Sequence, residues 1–396
     1  MRIFGLYALM AALLLLALFS ATPAHAAMSW NVQRVDDRAA GLGNGYCPIV
    51  VDSNNIPSIA YTGLNSSNRF VRYAKWNSSI GGFSIQEIAR SEATDMALDA
   101  NNNPNILYEV IRGGLWYASW TGLDWTTQTV DTAWVTYAAL ALDSQGNPHA
   151  AYSTGQTLYY ASRTGSTWTT ETVDNGTEIP IHLSLALDSD DKPYIMYSNP
   201  DLKIATLENL GWKIETVALP DSVSGVGNMI LDSKGYPHLI YSTGVFYDVK
   251  IKYVSWTGGS WKTETLVSDI PLDLADINYP GFLALDSLDY PHICYVGRFR
   301  TGYKLMYAGW TGLEWSIQTV VQSGINPVYM AVDSNRIPHI SFRSGSIGFA
   351  PTHLIYATAS EPVPLASPIL IALPLLSLVV VAVIAAAVIV YLWRKK

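Results

Sequence analysis

A phrase of the type Ala-Leu-Asp-Ser-x-x-x-Pro-His-x-x-Tyr occurs seven times along the chain, and it limits the possible folds more than any other feature. Successive copies lie between 44 residues (Asp99 to Asp143) and 54 residues (Asp232 to Asp286) apart. A period of this length indicates a repeat architecture. The Asp of the phrase stands at Asp52, Asp99, Asp143, Asp188, Asp232, Asp286 and Asp333, and the closing aromatic residue at Tyr61, Tyr108, Tyr152, Tyr197, Tyr241, Tyr295 and Phe342.

Each copy contains four short segments of β character. Large and small apolar residues alternate before the Asp, as in Met96-Ala97-Leu98, and the Pro-led segment follows. A Tyr-Ala-like pair marks the third segment, and a Trp-x-x-Gln/Glu-Thr-Val phrase marks the fourth. Four strands per repeat at this period are typical of a propeller blade, and no stretch of residues 27–360 shows sustained helical periodicity.

The repeats are circularly offset relative to the chain ends. The seventh copy ends after its third segment, whereas Trp30 to Asp36 repeats the fourth-segment pattern of Trp125 to Asp131. Pairing the two ends within one blade would close a ring and remove an exposed sheet edge. The sequence therefore predicts an all-β, seven-bladed propeller whose last blade is completed by residues 29–36.

The two ends of the chain have targeting features. Residues 1–26 contain Arg2, an apolar stretch and the small-residue cleavage site Ala24-His25-Ala26, as secretory signal peptides do. Residues 368–393 form an uncharged apolar run long enough for a transmembrane helix, and residues 394–396 are basic. We expect a single-pass cell-membrane protein with ectodomain 27–360 outside, a stalk at 361–367 and a cytoplasmic tail at 394–396.

Composition narrows the partners. The net charge is −8, and no Lys/Arg cluster occurs outside the tail, which argues against nucleic acid. The two cysteines, Cys47 and Cys294, fall in different repeats and are too few for a disulfide framework. No cofactor is expected.

The recurrent polar residues suggest structure more than chemistry. The Asp-Ser-x-Gly-x-Pro segment is typical of a tight turn, and calcium binding by Asp143, Gln145 and Asn147 is the alternative. The histidines His149, His238, His292 and His339 occupy equivalent places in different blades, so they cannot converge on one metal or catalytic site. We expect them to hydrogen-bond at the lower rim, and no metal site is predicted. A calcium loop within residues 268–281 is a further alternative.

The ectodomain, over roughly residues 28–360, resembles the repeat propellers of prokaryotic cell surfaces. The turns in residues 162–168 and 255–261, with Gly165 and Gly258, resemble a shortened Asp-box of the sialidase superfamily that lacks its Asp and one residue. In that superfamily the motif is structural, so the resemblance implies a fold and not an activity. The Gly-His and Trp-Asp signatures of WD40 repeats are absent from the expected places.

The loops before the first strand and between the second and third strands vary among the copies, whereas the opposite turns are nearly constant. Variation within one chain favours the varied face as the ligand face. Aromatic and Arg side chains there suit sugars, carboxylates or peptides. The candidate ligand-binding residues are Arg112, Trp116, Trp134, Tyr137, His182, Tyr279, Arg298, Arg300, Tyr329 and Arg343.

Two classes of function follow, and neither requires a cofactor. The first is a surface module that binds glycan or protein without catalysis. The second is a sialidase-like or other glycan-processing enzyme, although no motif places an acid and a nucleophile beside the arginines. A structural surface-layer role is the third possibility.

Overall fold

The computed structural model describes residues 28–39, 46–65, 68–110, 113–176, 178–199, 201–244, 249–270, 280–299, 302–322, 325–344 and 352–364. All regular structure in these ranges is β-strand, as predicted. None of them contains a helix of the length and apolarity needed to cross a membrane. The predicted signal peptide 1–26, the membrane helix 368–393, the tail 394–396 and part of the stalk 361–367 lie outside the described residues and stay predictions.

The described residues form 28 strands in groups of four, which we call blades 1 to 7. Blade 1 contains β2(Ile49–Val51), β3(Pro57–Asn65), β4(Asn68–Asn77) and β5(Gly82–Ala89). Blade 2 contains β6(Glu92–Leu98), β7(Pro104–Val110), β8(Gly114–Trp120) and β9(Trp125–Asp131). Blade 3 contains β10(Tyr137–Leu142), β11(Pro148–Thr154), β12(Thr157–Thr164) and β13(Thr167–Asn175).

The later blades follow the same order. Blade 4 contains β14(Ile181–Leu187), β15(Pro193–Asn199), β16(Asp201–Glu208) and β17(Gly211–Thr216). Blade 5 contains β18(Gly225–Leu231), β19(Pro237–Thr243), β20(Val249–Trp256) and β21(Trp261–Ile270). Blade 6 contains β22(Phe282–Leu285), β23(Pro291–Phe299), β24(Gly302–Trp310) and β25(Trp315–Val321). Blade 7 contains β26(Ile325–Val332), β27(Pro338–Ser344), β28(Thr352–Ala359) and, from the start of the described chain, β1(Trp30–Ala39).

Neighbouring strands within a blade are antiparallel, and the first strands of the blades contact one another in a ring. Five blades are separate four-stranded sheets, and blades 7 and 1 are joined through one bridge between Ala39 and Gly63. Each first strand contacts the first strand of the next blade, in the order β2, β6, β10, β14, β18, β22 and β26, and β26 contacts β2. These sheets are consistent with a β-propeller whose first strands surround a central axis.

The ring is closed by β1, as the offset repeat predicts. Trp30 lies opposite Ala359 on β28, and Gln33 lies opposite Tyr356. Asp36 of β1 also accepts hydrogen bonds from Tyr61 (2.6 Å) and Arg72 (2.7 Å) of blade 1. Strand β1 therefore completes blade 7 through its backbone pairing with β28, and its Asp36 side chain binds blade 1.

The second-strand tyrosines connect neighbouring blades. Their rings are buried between sheets, and in four blades the hydroxyl donates to an Asp at or near the end of the fourth strand of the preceding blade. The pairs are Tyr61 and Asp36, Tyr152 and Asp131 (2.7 Å), Tyr197 and Asp174 (2.6 Å), and Tyr241 and Asp221 (3.4 Å). Burying a hydroxyl without a partner costs free energy, so these pairs stabilise the contact between neighbouring blades.

The turns after the first strands form the turn face of the molecule, and their structural role is confirmed. In all seven turns one oxygen of the repeat Asp accepts hydrogen bonds from the backbone N–H groups two and four residues later, at 2.7 to 3.0 Å. All four repeat histidines hydrogen-bond third-strand tyrosines through Nδ1, and His238 and His292 also bond their repeat Asp through Nε2, at 3.4 and 3.3 Å. The predicted lower-rim hydrogen bond is therefore present in each of them.

The turns also contact one another around the ring. The Ser after the repeat Asp donates to an Asn or Asp at positive φ in the next turn, as Ser144 does to Asp191 and Ser334 to Asn55. In blades 3 and 5 the positive-φ residue is Gly146 or Gly235, which has no side chain to accept such a bond. In blade 7 the positive-φ residue is Arg336, whose Nε donates to Asp286 of blade 6 (2.6 Å). Four contacts involve the Ser: Ser53 with Asn102, Ser144 with Asp191, Ser233 with Asp289, and Ser334 with Asn55.

Candidate functional site

A pocket opens on the central axis at the end opposite the turn face, which we call the mouth face. Its volume is about 140 Å³, and every blade contributes residues four to six positions before the repeat Asp. This is the region where the first strands begin, and residues from all seven blades meet there. The repeat thus builds a site from the same short segment of all seven blades, and this segment carries different residues in each.

Aromatic rings form two walls of the pocket. Tyr329 makes an edge contact with Tyr46, with ring centroids 6.4 Å apart, and contacts Phe282 at 5.0 Å. Across the pocket Tyr137 and His182 lie at 6.5 Å with their planes tilted by 34°. The hydroxyl of Tyr137 makes no hydrogen bond to another described residue. The pocket therefore combines flat apolar surfaces with a polar atom that is available to a ligand.

Two polar lining residues are occupied by structural bonds. Asp95 accepts hydrogen bonds from the backbone N–H groups of Met96 and Leu140, both at 2.8 Å, and burial raises its pKa to about 6. Asn228 accepts from the N–H of Leu283 (2.7 Å) and donates to its carbonyl (2.9 Å). Both side chains hold the first strand of the next blade, so neither is the principal ligand group.

His182 has an unusual backbone. Its φ is 55°, a conformation that β-strand residues with a Cβ rarely adopt, and the pairing register shifts between Ile181 and Ser184. Burial lowers the pKa of His182 to about 4, so the imidazole is neutral at physiological pH. Non-glycine residues in such conformations concentrate at functional sites, where the surrounding structure stabilises them.

A carboxyl group lies beside the aromatic pocket. Glu109 on β7 has one buried carboxyl oxygen, Oε1, with no hydrogen-bond partner among the described residues. Burial, and secondly the nearby Glu92, raise the pKa of Glu109 to about 8. Glu92 itself pairs with Arg69, and its charge also reaches Arg343, whose pKa is lowered by burial. Glu109 therefore carries a proton at neutral pH and can donate a hydrogen bond.

The structure brings three of the ten predicted residues together. Tyr137, His182 and Tyr329 line the pocket, and Arg343 is a buried residue of β27 that interacts electrostatically with Tyr329. Trp116 packs against the core between blades 1 and 2 and donates to the carbonyl of Gly113 (2.9 Å), which is a structural position.

Of the other predicted residues, only Trp134 has a described side chain, and it does not line the pocket. Trp134 is 80% exposed on the loop before β10. The remaining predictions fall where the structure gives no side-chain position: Arg112, Tyr279 and Arg300 lie outside the described residues, and Arg298 is described by its backbone alone. Most of the alternative calcium loop also falls outside them.

Sequence reasoning missed several pocket residues, among them Tyr46, Asp95, Asn228 and Phe282, and it also missed Glu109 beside the pocket. Aligning the seven repeats gives a signal that could have identified two of these residues. Asp95 and Asn228 interrupt the apolar run of the first strand at the same place, four residues before the repeat Asp. A polar residue in a strand that is sandwiched between two sheets needs a specific partner, and this position faces the axis.

Comparisons with known proteins identify the class of fold. No protein-family profile matches the sequence, and no curated protein matches it. Among solved structures, a polysaccharide lyase matches with a TM-score of 0.55 at 11% identity, covering 85% of this chain and 100% of its own. An ulvan lyase bound to a saccharide of GlcA and Rha3S has a TM-score of 0.59 at 12% identity, covering 83% of this chain and 96% of its own.

A lectin from Aleuria aurantia in complex with a fucosylated saccharide has a TM-score of 0.50 at 12% identity, covering 71% of this chain and 97% of its own. Identities this low show a shared fold alone. The chain thus has the β-propeller-like fold that is found in lectins and in polysaccharide lyases.

Proposed function

We propose that this chain is a seven-bladed, membrane-anchored propeller that binds glycans outside the cell through its central pocket, without catalysis. The supporting observation is the pocket itself, where Tyr137, Tyr329 and Phe282 provide flat rings beside the neutral imidazole of His182. Aromatic faces pack on the C–H faces of sugars, and hydroxyl and imidazole groups bond their hydroxyls. The finer relationship to the sialidase Asp-box propellers rests on the turns at Gly165 and Gly258 and is part of this proposal.

The size of the pocket favours one sugar unit. Small-molecule pockets generally enclose roughly 300–1,000 Å³, whereas this one has a volume of about 140 Å³. A terminal or protruding ring would enter, and the rest of the glycan would lie across the mouth face. The fold neighbours support a glycan as the ligand class, since the named lectin and ulvan lyase structures contain saccharides.

A second candidate is a glycan-processing enzyme, and Glu109 is the observation that favours it. A protonated carboxyl group in electrostatic contact with Tyr137 suits general acid chemistry at neutral pH. However, glycoside hydrolysis generally requires a second carboxylate near the scissile bond. Asp95 is the carboxylate that lines the described pocket, and both of its oxygens accept backbone hydrogen bonds. Binding without turnover is therefore the proposal.

A glycan array tests both candidates. The purified full-length chain, kept in mild detergent, should bind a defined set of glycans, and Tyr137→Ala and Tyr329→Ala should each weaken that binding at least tenfold. Tyr290→Ala is the matched control, because this tyrosine lies in a turn on the opposite face. Equal binding by all four proteins would refute the central pocket as the glycan site.

Turnover separates binding from catalysis. The bound glycans are incubated with the protein and then examined for new reducing ends and for unsaturated products. No product is expected, and products that disappear in Glu109→Gln would establish the enzyme instead.

The membrane anchor is tested separately. Full-length chain should fractionate with membranes, and a chain ending at residue 364 should be released. Recovery of both chains in the same fraction would contradict the proposed anchor.

A further inference from the structure

We propose that the groove between blades 1 and 2, at the outer edge of the turn face, is a second saccharide site that takes uncharged glycans. It shares no lining residue with the central pocket. The inference therefore stands apart from the proposed function of the mouth face.

The groove is larger than the central pocket. Its volume is about 630 Å³, within the roughly 300–1,000 Å³ that is usual for small-molecule sites. One wall is the turn from Asp52 to Ile56 with β4 and β5 of blade 1. The other wall is the turn before Pro104 together with Trp120 at the end of β8.

Two indoles line the groove. Trp76 at the end of β4 makes an edge contact with Phe83, with centroids 5.5 Å apart, and Trp120 makes one with Trp125 at 5.5 Å. Both indoles are partly exposed, and neither indole N–H is bonded within the described structure. Each ring is therefore held by an aromatic neighbour while keeping a donor and some of its surface for a ligand.

Side-chain amides supply the polar part of the lining. The amides of Asn54 and Asn101 make no hydrogen bond to any described residue, and both side chains are exposed. Gln86 accepts from the indole N–H of Trp125 (3.0 Å), which fixes its orientation and leaves its NH₂ group unbonded within the described chain. Donors and acceptors thus occur together, as vicinal sugar hydroxyls require.

The groove has little net charge. Lys75 and Asp52 are the charged residues of the described lining, and they pair with each other at 3.3 Å. Amides, hydroxyls and indoles without an unpaired charge favour a neutral saccharide, because a charged ligand would lose hydration without gaining a counter-ion.

The equivalent groove between blades 4 and 5 shows that this chemistry is not a consequence of the repeat. It has a volume of about 450 Å³ and places Trp256 where blade 2 has Trp120. At the positions of Ser84 and Gln86, however, it carries Lys213 and Glu215, which form a pair at 3.0 Å. The same backbone frame therefore presents amides in one groove and charges in the other.

The test is a glycan array of neutral and acidic glycans, probed with the full-length chain. Trp120→Ala should weaken binding to neutral glycans at least tenfold, and the matched change Trp256→Ala should leave it within twofold. Because Trp120→Ala also removes a contact with Trp125, the double variant Asn54→Ala with Asn101→Ala provides a second test with exposed side chains, and it should weaken the same glycans at least fivefold.

A charge exchange sharpens the specificity. Ser84→Lys with Gln86→Glu gives the groove the chemistry of its equivalent, and neutral glycans should be lost. The inference is overturned by an array on which no neutral glycan binds. It is also overturned by neutral binding that survives both groove variants, including the case in which that binding is lost only in Tyr137→Ala. Loss of neutral binding only in Tyr137→Ala would support the central pocket as a glycan site and refute the groove as one. The two proposals can therefore be refuted independently.

Discussion

The turn face and the mouth face are built from the same seven repeats, yet they differ in how their polar groups are used. On the turn face the repeat Asp accepts the same two backbone hydrogen bonds in every blade, and four histidines repeat one bridge to a tyrosine. On the mouth face equivalent positions carry Tyr46, Asp95, Tyr137, His182 and Asn228. The turn face therefore has the same Asp hydrogen bonds in every blade, whereas the residues of the mouth face differ from blade to blade.

The difference has a physical consequence. On the turn face the repeat Asp carboxylates and the histidine Nδ1 atoms have hydrogen-bond partners, so their removal should cost stability. On the mouth face Tyr137 makes no hydrogen bond to another described residue and Glu109 Oε1 is buried without one, so their removal should cost binding or change the pH response. The predictions below test this separation.

The largest effect is expected for His292→Ala. His292 and Asp286 have fully buried side chains, and the change would leave the Asp286 carboxylate and the Tyr307 hydroxyl without this partner. We expect a loss of about 3–5 kcal/mol in the free energy of unfolding, measured by denaturant titration. His149 is the matched control, because its side chain is 12% exposed, and His149→Ala should cost clearly less. Equal losses would contradict burial as the cause.

The two faces should respond to pH in opposite directions. On the turn face hydrogen bonds from His292 and Arg336 hold the pKa of Asp286 below its usual value against the effect of burial, and burial lowers the pKa of His292. The stabilisation that Asp286 and His292 provide is fully present at pH values above their pKa values in the unfolded chain. It is lost as the pH falls through their lower pKa values in the folded protein.

On the mouth face the raised pKa of Glu109 stabilises the fold fully below about 4.5, and this contribution is lost as the pH rises to about 8. Glu109→Gln should therefore raise the free energy of unfolding by roughly 3–5 kcal/mol at pH 8.5 and change it little at pH 4. The measurement is urea unfolding at both pH values. A variant that is destabilised at pH 8.5 would show that the fold stabilises the Glu109 carboxylate, which would contradict the raised pKa.

Removal of one hydroxyl should affect different properties on the two faces. Tyr152→Phe removes the bond to Asp131 and should cost about 1–2 kcal/mol of stability, while glycan affinity stays constant. Tyr137→Phe should leave the melting temperature unchanged and weaken binding of the array ligand about fivefold, as the loss of one hydrogen bond of about 1 kcal/mol implies. Calorimetry measures both properties, and the reverse pattern would contradict the division of roles.

The smallest effect concerns the contacts between turns. Asn55→Gly suits the positive φ of this residue but removes the bonds from Ser334 at 3.1 and 2.9 Å, so a loss of about 0.5–1 kcal/mol is expected. The converse variant, Gly235→Asn, has room for a Cβ and should gain a bond from Ser189 of the preceding turn. Thermal unfolding that ranks these variants in the opposite order would contradict the proposed contacts.

The architecture was readable from the sequence because the repeat encodes it. The Asp, Pro and aromatic positions fix four strands per unit, and the displaced Trp30 segment indicates that the chain ends meet in one sheet. The structure confirms both the strands and the pairing of β1 with β28. The lower-rim role of the histidines was also predictable, since residues spread around a ring cannot share a ligand.

The site was predictable only in part. Tyr137, His182 and Tyr329 were predicted because aromatic residues stand where the repeat varies, and they line the candidate pocket. Trp116 has the same signal but packs between sheets. Sequence alone does not show which way a loop residue turns. The role of Glu109 depends on burial and on the distance to Glu92, both of which arise from packing. The positive φ of His182 follows from a register shift that no motif announces.

The most direct test is a crystal structure of the full-length chain with the glycan that binds most tightly on the array and responds to Tyr137→Ala. We expect one sugar ring between Tyr137 and Tyr329 in the central pocket, with the rest of the glycan on the mouth face. A ligand seated on the turns around the repeat Asp residues, with the central pocket empty of sugar, would contradict this expectation.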